Sequence, residues 1–350
     1  MRRLDTATIA HRENVPNDGR GGLALRRREI LGFENPEDIV AVPGSDWVIT
    51  SALCGPALPR ARTFFVNIRT HEMRPAWPDN VIIDLDRDRF GDVAPPKAYS
   101  FHGLDVIRRG DVIELYQVNH APWHAPGEGR ESVEVFEIDL EATGPRLRWR
   151  GAVLGPAWLN GNDLCALPEG GFAVTNFCYP GPDATRMGRA GGVCGNVLEW
   201  RSLQEGWSIV PGSDLNYPNG IAQGPATDAY LVAAWGLKTL VRVSRSAPHG
   251  GRVEVPMPGL IDNITCTPDG GVLLCVQEIE REELWARVGS GKGLGACPFQ
   301  AVRVDPFTLE TRVLLRDDLP DFFATTALQV SESEIWVSSA HGGRILVYDL

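Results

Sequence analysis

Residues 158–176, WLNGNDLCALPEGGFAVTN, contain two short apolar runs separated by the turn PEGG at 168–171. Alternating apolar runs on either side of a Gly-rich turn are typical of a β-hairpin. Three polar residues, Asn160, Asn162 and Asp163, stand directly in front of the first run. Two amides and a carboxylate at this entrance indicate either a turn or part of a binding site, and a single hairpin does not distinguish the two.

The same pattern occurs in five other stretches of the chain. Each has an aliphatic anchor, a short alternating strand, a turn and a second apolar strand. The six anchors are Ile39, Leu104, Leu164, Ile221, Ile264 and Leu328. Successive anchors lie 43 to 65 residues apart, and a four-stranded propeller blade occupies roughly 40–50 residues. Strand-like runs between the anchors, such as TFFVNI at 63–68 and NVIIDL at 80–85, would supply the outer strands.

The repeat predicts an all-β fold, a six-bladed β-propeller with four-stranded blades around a central channel. We expect a single propeller domain over residues 21–350 and a poorly ordered N-terminal extension over residues 1–20. The run GLALRRREIL at 22–31 is expected to help close the ring with the C-terminal strand RILVYDL at 344–350. An irregular pair of β-sandwiches is the alternative fold for so strand-rich a sequence.

The composition narrows the possible partners and compartments. A net charge of −11 without a basic stripe argues against a nucleic-acid partner. The seven cysteines are scattered without C-x-x-C spacing, which is typical of reduced core residues in a cytoplasmic protein. The N-terminus lacks the apolar core of a signal peptide, and no stretch approaches the ~20 apolar residues of a membrane span. These features predict a soluble cytoplasmic protein, and its oligomeric state stays open.

The residue two positions before the anchor is polar in every repeat. These residues are Glu37, His102, Asn162, Asn219, Asp262 and Thr326. The position directly before the anchor adds Asp38, Asp163 and Asn263. Corresponding points of the inner strands lie near the axis of a propeller, so these side chains are expected to converge. Asp and Asn in front of strands are otherwise common turn formers.

The oxygen donors in this set predict a calcium site. They are the carboxylates and amides of Glu37, Asn162, Asn219, Asp262 and Asn263. Calcium takes about 6–8 such oxygens, whereas zinc favours His and Cys, and magnesium keeps more water around a few carboxylates.

At these residues the sequence resembles the paraoxonase/arylesterase family of calcium-dependent six-bladed propeller hydrolases. The resemblance rests on short segments in family order that together span most of the chain from about residue 30 onward. They are EDI (37–39), HGL (102–104), VNH (118–120), NGND (160–163), PNGI (218–221) and DNI (262–264). The related gluconolactonase/senescence-marker group shares the fold and an acidic-amide metal site, but HGL and VNH favour paraoxonase.

The resemblance implies two calcium ions and a histidine dyad. The catalytic calcium would be held by the five oxygen donors named above. A structural calcium would be held by Asp38, Asp163 and the backbone carbonyl of Leu104. His102, supported by His120, would stand at the mouth of the site. The family has an acid that supports the second histidine at the position of Phe177, so we expect a dyad that is weakened, rewired through Asp105 or unimportant.

These residues predict calcium-dependent hydrolysis of a small-molecule lactone or aryl ester. The metal would polarise the carbonyl group, and His102 or the carboxylate of Asp262 would accept the proton of the attacking water. The absence of G-x-S-x-G from the sequence disfavours a serine esterase of the α/β-hydrolase type.

Other functions remain open for the same scaffold. One is another propeller enzyme, namely a sugar lactonase, a phosphotriesterase or a strictosidine-synthase-like protein. The other is a non-catalytic binding propeller stabilised by calcium. The segments 179–196 and 280–299 are expected to form mouth loops that set substrate choice, and the second begins with a predicted helix at 280–288.

Overall fold

Six sheets follow one another in the structure, a computed structural model that describes residues 9–15, 25–54, 62–120, 129–223, 228–247, 251–290 and 295–350. The described chain starts with β1 (Ile9–Val15) and β2 (Leu25–Leu31). The first blade contains β3 (Ile39–Ala41), β4 (Trp47–Thr50), β5 (Phe64–Asn67) and β6 (Met73–Pro75). The second contains β7 (Val81–Ile83), β8 (Phe101–Arg109), β9 (Val112–Asn119), β10 (Ser132–Glu141) and β11 (Gly144–Leu154).

The later blades repeat this arrangement. The third contains β12 (Gly161–Ala166), β13 (Phe172–Asn176), β14 (Asn196–Trp200) and β15 (Trp207–Ile209). The fourth contains β16 (Pro218–Gln223), β17 (Ala229–Ala234), β18 (Thr239–Ser244) and β19 (Arg252–Pro256). The fifth contains β20 (Leu260–Cys266), β21 (Val272–Gln277), β22 (Phe299–Val304) and β23 (Thr311–Asp317). The sixth contains β24 (Ala324–Ser331), β25 (Glu334–Ser339) and β26 (Arg344–Asp349), followed by β2 and β1.

Short helices lie in the connections between strands. They are α1 (Arg87–Phe90), α2 (Pro182–Arg189), α3 (Arg281–Ser290) and a 3₁₀ turn at Trp235–Leu237. The helix predicted at 280–288 is therefore confirmed as α3, displaced by one residue at its start. In the part of the chain that the structure describes, no helix is both long and apolar enough to cross a membrane.

The predicted six-bladed propeller is confirmed. Each sheet contains the four expected antiparallel strands, and two sheets carry a fifth. The fifth strand of the second blade is β7, from the run NVIIDL, which pairs in parallel with β11. The fifth strand of the sixth blade is β1, which lies within the predicted N-terminal extension; residues 1–8 and 16–24 are outside the described residues.

The ring closes between the two ends of the chain, as predicted. Strand β2 pairs antiparallel with β26, so that Glu29 stands opposite Leu346. Apolar clusters fill the spaces between neighbouring blades. One joins Tyr116 of the second blade to Phe172 of the third, and another joins Val347 of the sixth blade to Val48 of the first. Because burial of apolar surface is the main source of stability, each blade is held mainly by its two neighbours.

The inner strands β3, β8, β12, β16, β20 and β24 together line a central cavity of about 290 Å³. All six anchors are buried, and each lies on its inner strand. Five of these strands contain a one-residue register shift at the position of the polar residues in front of the anchor. In β12, for example, Gly161 pairs with Asn176 but Leu164 pairs with Val174.

These shifts are β-bulges, and a bulge interrupts the alternation of side chains along a strand. Two consecutive polar residues in a bulge can therefore both face the axis, whereas a regular strand would point them to opposite faces. The bulges thus allow neighbouring residues such as Asn162 and Asp163, or Asp262 and Asn263, both to reach the centre.

Candidate metal and catalytic site

Polar side chains from distant blades meet in front of the anchors of the inner strands. Nδ2 of Asn263 donates hydrogen bonds to Oε1 of Glu37 at 3.0 Å and to Oγ1 of Thr326 at 2.9 Å. Nε2 of His102 lies 3.7 Å from Oε1 of Glu37. These contacts join the second, fifth and sixth blades to the first. The predicted convergence of equivalent positions is therefore present in the structure.

Asp262 and Asn219 extend the cluster on the fifth and fourth blades. Asn219 is hydrogen-bonded to the Asp262 carboxylate. Nε2 of Gln277 donates to Oδ2 of Asp262 at 2.5 Å and to the carbonyl of Ala324 at 2.7 Å. Gln277 is a site residue that the repeat did not reveal. It comes from the second strand of its blade, whereas the repeated polar positions lie on the inner strands.

Four oxygen atoms of the predicted calcium ligands are buried and have no hydrogen-bond partner among the described residues. They are Oε2 of Glu37 and the Oδ1 atoms of Asn162, Asn219 and Asn263. A buried polar atom without a partner costs about 1–3 kcal/mol, so native proteins rarely contain several together. All four belong to the five predicted ligands of the catalytic calcium. A bound cation would give every one of them a partner.

The chemistry of this set fits a hard cation. It combines two carboxylates, Glu37 and Asp262, with three amides, and it includes neither thiol nor imidazole. Among the described residues there is no group of three or more His, Cys, Asp or Glu side chains arranged to hold a metal. The five predicted ligands do not form such a group because three of them are asparagines. Oxygen donors of this mixed kind are those that calcium accepts.

The buried carboxylates of the cluster would be stabilised in their ionised form by a nearby positive charge. Burial raises the pKa of Glu37 well above its ordinary value, and the carboxylates of Asp38, Asp262 and Asp163 raise it further. Burial raises the pKa of Asp262 to about 7. The ionised form of each carboxylate is therefore unfavourable without a nearby cation.

The predicted structural site has a different set of contacts. Oδ2 of Asp38 accepts a hydrogen bond from the backbone N–H of Leu104 at 2.9 Å. Oδ2 of Asp163 accepts one from the N–H of Ile221 at 2.9 Å. Each aspartate thus bonds to the anchor of the next blade. Leu104 meets Asp38 through its N–H group, whereas the resemblance implies that its carbonyl binds a metal, so the structural calcium stays a prediction.

Glycines make room for this contact between blades. A Cβ atom at Gly103 would lie 2.4 Å from Cα of Asp163, and one at Gly220 would lie 2.4 Å from the carbonyl oxygen of Asp262. At these two positions in front of an anchor, a side chain would collide with the backbone of the next blade, and the residue is a glycine.

The two predicted catalytic histidines are in contact. Nδ1 of His102 lies 3.0 Å from Nε2 of His120. Nδ1 of His120 lies 2.8 Å from Oε2 of Glu131. His102 lies in the bulge of β8, His120 follows β9, and Glu131 precedes β10, so all three belong to the second blade. Burial lowers the pKa of His102 well below its ordinary value, and the neighbouring His120 lowers it further.

The acid beside His120 is therefore Glu131. Rewiring through Asp105 is not what the structure shows, because Asp105 is engaged elsewhere. Its Oδ2 accepts from the N–H of Ala166 at 2.8 Å, and its Oδ1 accepts from the N–H of Val106 at 2.8 Å. Sequence reasoning missed Glu131 because it lies in a loop next to residues 121–128, outside the repeated pattern.

Phe177 belongs to an aromatic cluster with Tyr217, Trp235 and, from α3, Trp285. Its ring centroid lies 5.0 Å from that of Tyr217 and 5.9 Å from that of Trp235. Trp235 is also 5.9 Å from Trp285 of α3. The position where the family has an acid is thus apolar here.

The buried Arg281 connects the segments 179–196 and 280–299, which are predicted to form mouth loops. It donates to the carbonyl of Gly188 at 3.1 Å, to that of Arg189 at 2.7 Å and to that of Gly236 at 3.3 Å. Since these carbonyls lie in α2 and the 3₁₀ turn, Arg281 joins both elements to its own helix α3.

Comparisons with known proteins support the fold. No protein-family model and no curated protein matches the sequence. A gluconolactonase from Xanthomonas campestris is similar in structure, with 13% identity, 100% of this chain and 99% of that chain covered, and a TM-score of 0.55. A luciferin-regenerating enzyme is similar with 11% identity, 91% and 93% coverage, and a TM-score of 0.54. At these identities the likeness shows a shared propeller fold.

Proposed function

We propose that the protein is a calcium-dependent hydrolase of a small-molecule lactone or aryl ester, of the paraoxonase/arylesterase kind. The single observation that carries this proposal is the group of four unpartnered buried oxygens beside a histidine dyad. The name of one similar structure, a gluconolactonase, supports a lactone as the substrate class.

Five residues would hold the catalytic ion: Glu37, Asn162, Asn219, Asp262 and Asn263. A calcium ion bound there would polarise the substrate carbonyl group and stabilise developing negative charge. The hydrogen bonds of Asn263 to Glu37 and Thr326 fix its amide so that the oxygen stays free. Gln277 in turn holds one oxygen of Asp262. A second, structural ion would use Asp38, Asp163 and the carbonyl of Leu104.

His102 is suited to accept the proton of the attacking water. Its Nε2 faces the site, 3.7 Å from Oε1 of Glu37. Burial keeps its pKa low, so the imidazole is neutral and able to act as a base at neutral pH. His120 supports it through the 3.0 Å contact between Nε2 of His120 and Nδ1 of His102. Asp262 is the alternative base, but its carboxylate is already engaged by Gln277 and Asn219.

The experiment is an assay of the purified protein against a panel of lactones, aryl esters and phosphotriesters, with calcium and with a chelator. We expect turnover of a lactone or an ester that the chelator abolishes and added calcium restores. Turnover of a sugar lactone alone would place the protein with the gluconolactonases. No turnover at all, together with calcium-dependent melting, would leave the non-catalytic binding propeller.

Two variants and one matched control sharpen this assay. Glu37→Gln and Asn219→Ala each remove a proposed ligand and are expected to abolish activity. Asn160→Ala is the control, because Asn160 is an amide of the same segment that bonds to the carbonyl of Cys178 at 3.4 Å, away from the unpartnered oxygens. Near-full activity of either ligand variant would refute the ligand assignment.

A further inference from the structure

Glu131, His120 and His102 form a line of contacts that runs from the surface to the site. The Glu131 side chain is 31% exposed and His120 is 16% exposed. Beyond His102, the Glu37 side chain is only 2% exposed. The contacts along the line are 2.8 Å from Glu131 to His120 and 3.0 Å from His120 to His102. The partly exposed carboxylate is thus two hydrogen bonds away from the imidazole that faces the site.

These contacts determine which ring nitrogens carry hydrogen when both imidazoles are neutral. An ionised carboxylate only accepts hydrogen bonds, so Nδ1 of His120 must carry the hydrogen that bonds to Glu131. Nε2 of His120 is then an acceptor, because a neutral imidazole has one N–H. The hydrogen between the two rings must come from Nδ1 of His102. Nε2 of His102 is left with its lone pair, and that atom faces Glu37.

We infer that Glu131 is a positioning residue that fixes the tautomers of His120 and His102, so that Nε2 of His102 is the free base of the site. This inference rests on the proposed hydrolase function for its catalytic consequence. It assigns the supporting acid to the loop before β10 in the same blade as both histidines. The resemblance implies an acid at the position of Phe177, in the third blade, where the chain has an aromatic side chain instead.

The two histidines and Glu131 would serve the attack of water on the substrate carbonyl, which needs no further reactant. An O–H bond of water breaks and its proton goes to Nε2 of His102. The water oxygen bonds to the carbonyl carbon as the π electron pair of the carbonyl bond moves to the carbonyl oxygen. The resulting imidazolium keeps its Nδ1 hydrogen bond to His120, and the negative charge of Glu131 stabilises the protonated pair. The carbonyl bond then re-forms and the bond from its carbon to the leaving oxygen breaks. The proton passes from Nε2 to the departing alkoxide or aryloxide, which restores the starting tautomers.

The tautomers can be observed directly, without any substrate. The protein contains seven histidines, so His102→Gln and His120→Gln variants would assign the two ring signals in ¹⁵N spectra of histidine-labelled protein. In the calcium-loaded wild type we expect hydrogen on Nδ1 of both rings and a lone pair on Nε2 of both. In Glu131→Ala we expect this pattern to be lost. Hydrogen on Nε2 of His102 in the wild type would overturn the inference.

Kinetics supply the second readout. Glu131→Ala is expected to lower kcat about 100-fold, the effect of a misplaced general base, while KM and calcium affinity stay unchanged. Glu137→Ala is the matched control, because Glu137 is 28% exposed, lies further along β10 and pairs with Arg150 at 3.2 Å. It is expected to retain wild-type kcat.

Chemical rescue separates positioning from a merely structural role. Formate can reach the partly exposed position of the missing carboxylate, so it is expected to raise kcat of Glu131→Ala in a saturable manner. A kcat of Glu131→Ala equal to that of the wild type would overturn the inference and leave the hydrolase proposal intact. A wild type without turnover would instead refute the hydrolase proposal, and the ¹⁵N spectra would still decide the tautomers.

Discussion

Nδ2 of Asn263 lies 3.0 Å from Oε1 of Glu37, although 226 positions separate these residues in the sequence. The same nitrogen also donates to Thr326. Because both donors of the amide group are engaged, its oxygen is turned away from them and remains free. The hydrogen bonds of the cluster thus leave oxygen atoms available at its centre, which is the arrangement that a cation site requires.

Asn263→Ala should weaken calcium binding at least about 10-fold, because it removes one ligand oxygen and frees Glu37 to move. Isothermal titration of calcium into metal-free protein measures this effect. Asn160→Ala, with its amide outside the cluster, should bind calcium as the wild type does. Equal calcium affinity in Asn263→Ala and the wild type would remove Asn263 from the ligand set.

Removal of calcium should lower the melting temperature of the wild type. A ligand that binds only the folded state at 100 times its Kd adds about 2.7 kcal/mol to the free energy of unfolding. Differential scanning fluorimetry over a series of free calcium concentrations measures this, with magnesium at the same concentrations as the control. A melting temperature that does not depend on calcium would speak against a site of any affinity in the folded protein.

Asp105 should make the stability of the protein depend on pH. Burial raises its pKa from 3.8 to about 6 in the folded state. The folded protein therefore holds this proton more tightly than the unfolded chain. The stabilisation is fully present below the unfolded pKa and is lost as the pH rises through the folded pKa, up to about 3 kcal/mol.

The comparison that isolates this effect is with Asp105→Asn, which cannot ionise. The free energy of unfolding of the wild type should fall relative to that of the variant between about pH 4 and about pH 7. Urea denaturation of both proteins at each pH measures the difference between their free energies of unfolding. A constant difference between the proteins would show that Asp105 keeps its ordinary pKa.

Arg281→Lys should destabilise the packing of α3 against α2 and the 3₁₀ turn. Lysine cannot reach the carbonyls of Gly188, Arg189 and Gly236 together, so buried acceptors lose their donor, at about 1–3 kcal/mol for each. Urea denaturation should report the loss, and hydrogen exchange should locate it in α2 and α3. Arg287→Lys in the same helix, where Arg287 pairs with Glu283, is the control and should change stability little. Protection of α2 unchanged by Arg281→Lys would contradict this role.

The sequence is sufficient to predict the fold because one pattern recurs at six anchors. The recurrence also predicts that Glu37, His102 and Asp262 lie close together, since equivalent positions of a propeller meet at its axis. The bulges at these positions do not follow from the recurrence, because a one-residue shift of pairing depends on the partner strand as well as on the strand itself. In β12 and β20 they allow both polar neighbours in front of the anchor to reach the centre, whereas Glu37 and Asp38 do so in front of β3, which has no bulge.

Residues outside the repeat cannot be placed from sequence in the same way. Glu131 and Gln277 act on the site from a loop and from a second strand, and neither belongs to the repeated positions in front of the anchors. The resemblance implies a metal contact through the carbonyl of Leu104, and the structure instead shows its N–H bound to Asp38. Such contacts depend on the distance between adjacent blades, which composition and spacing do not encode.

The most direct test of the central claim is the rate of lactone or aryl-ester hydrolysis as a function of free calcium, measured for the wild type and Glu37→Gln. The proposed site predicts a wild-type rate that is absent in chelator, rises with calcium and saturates as the ion binds. Glu37→Gln should show no such rise. A wild-type rate that is the same in chelator and in calcium would contradict the claim.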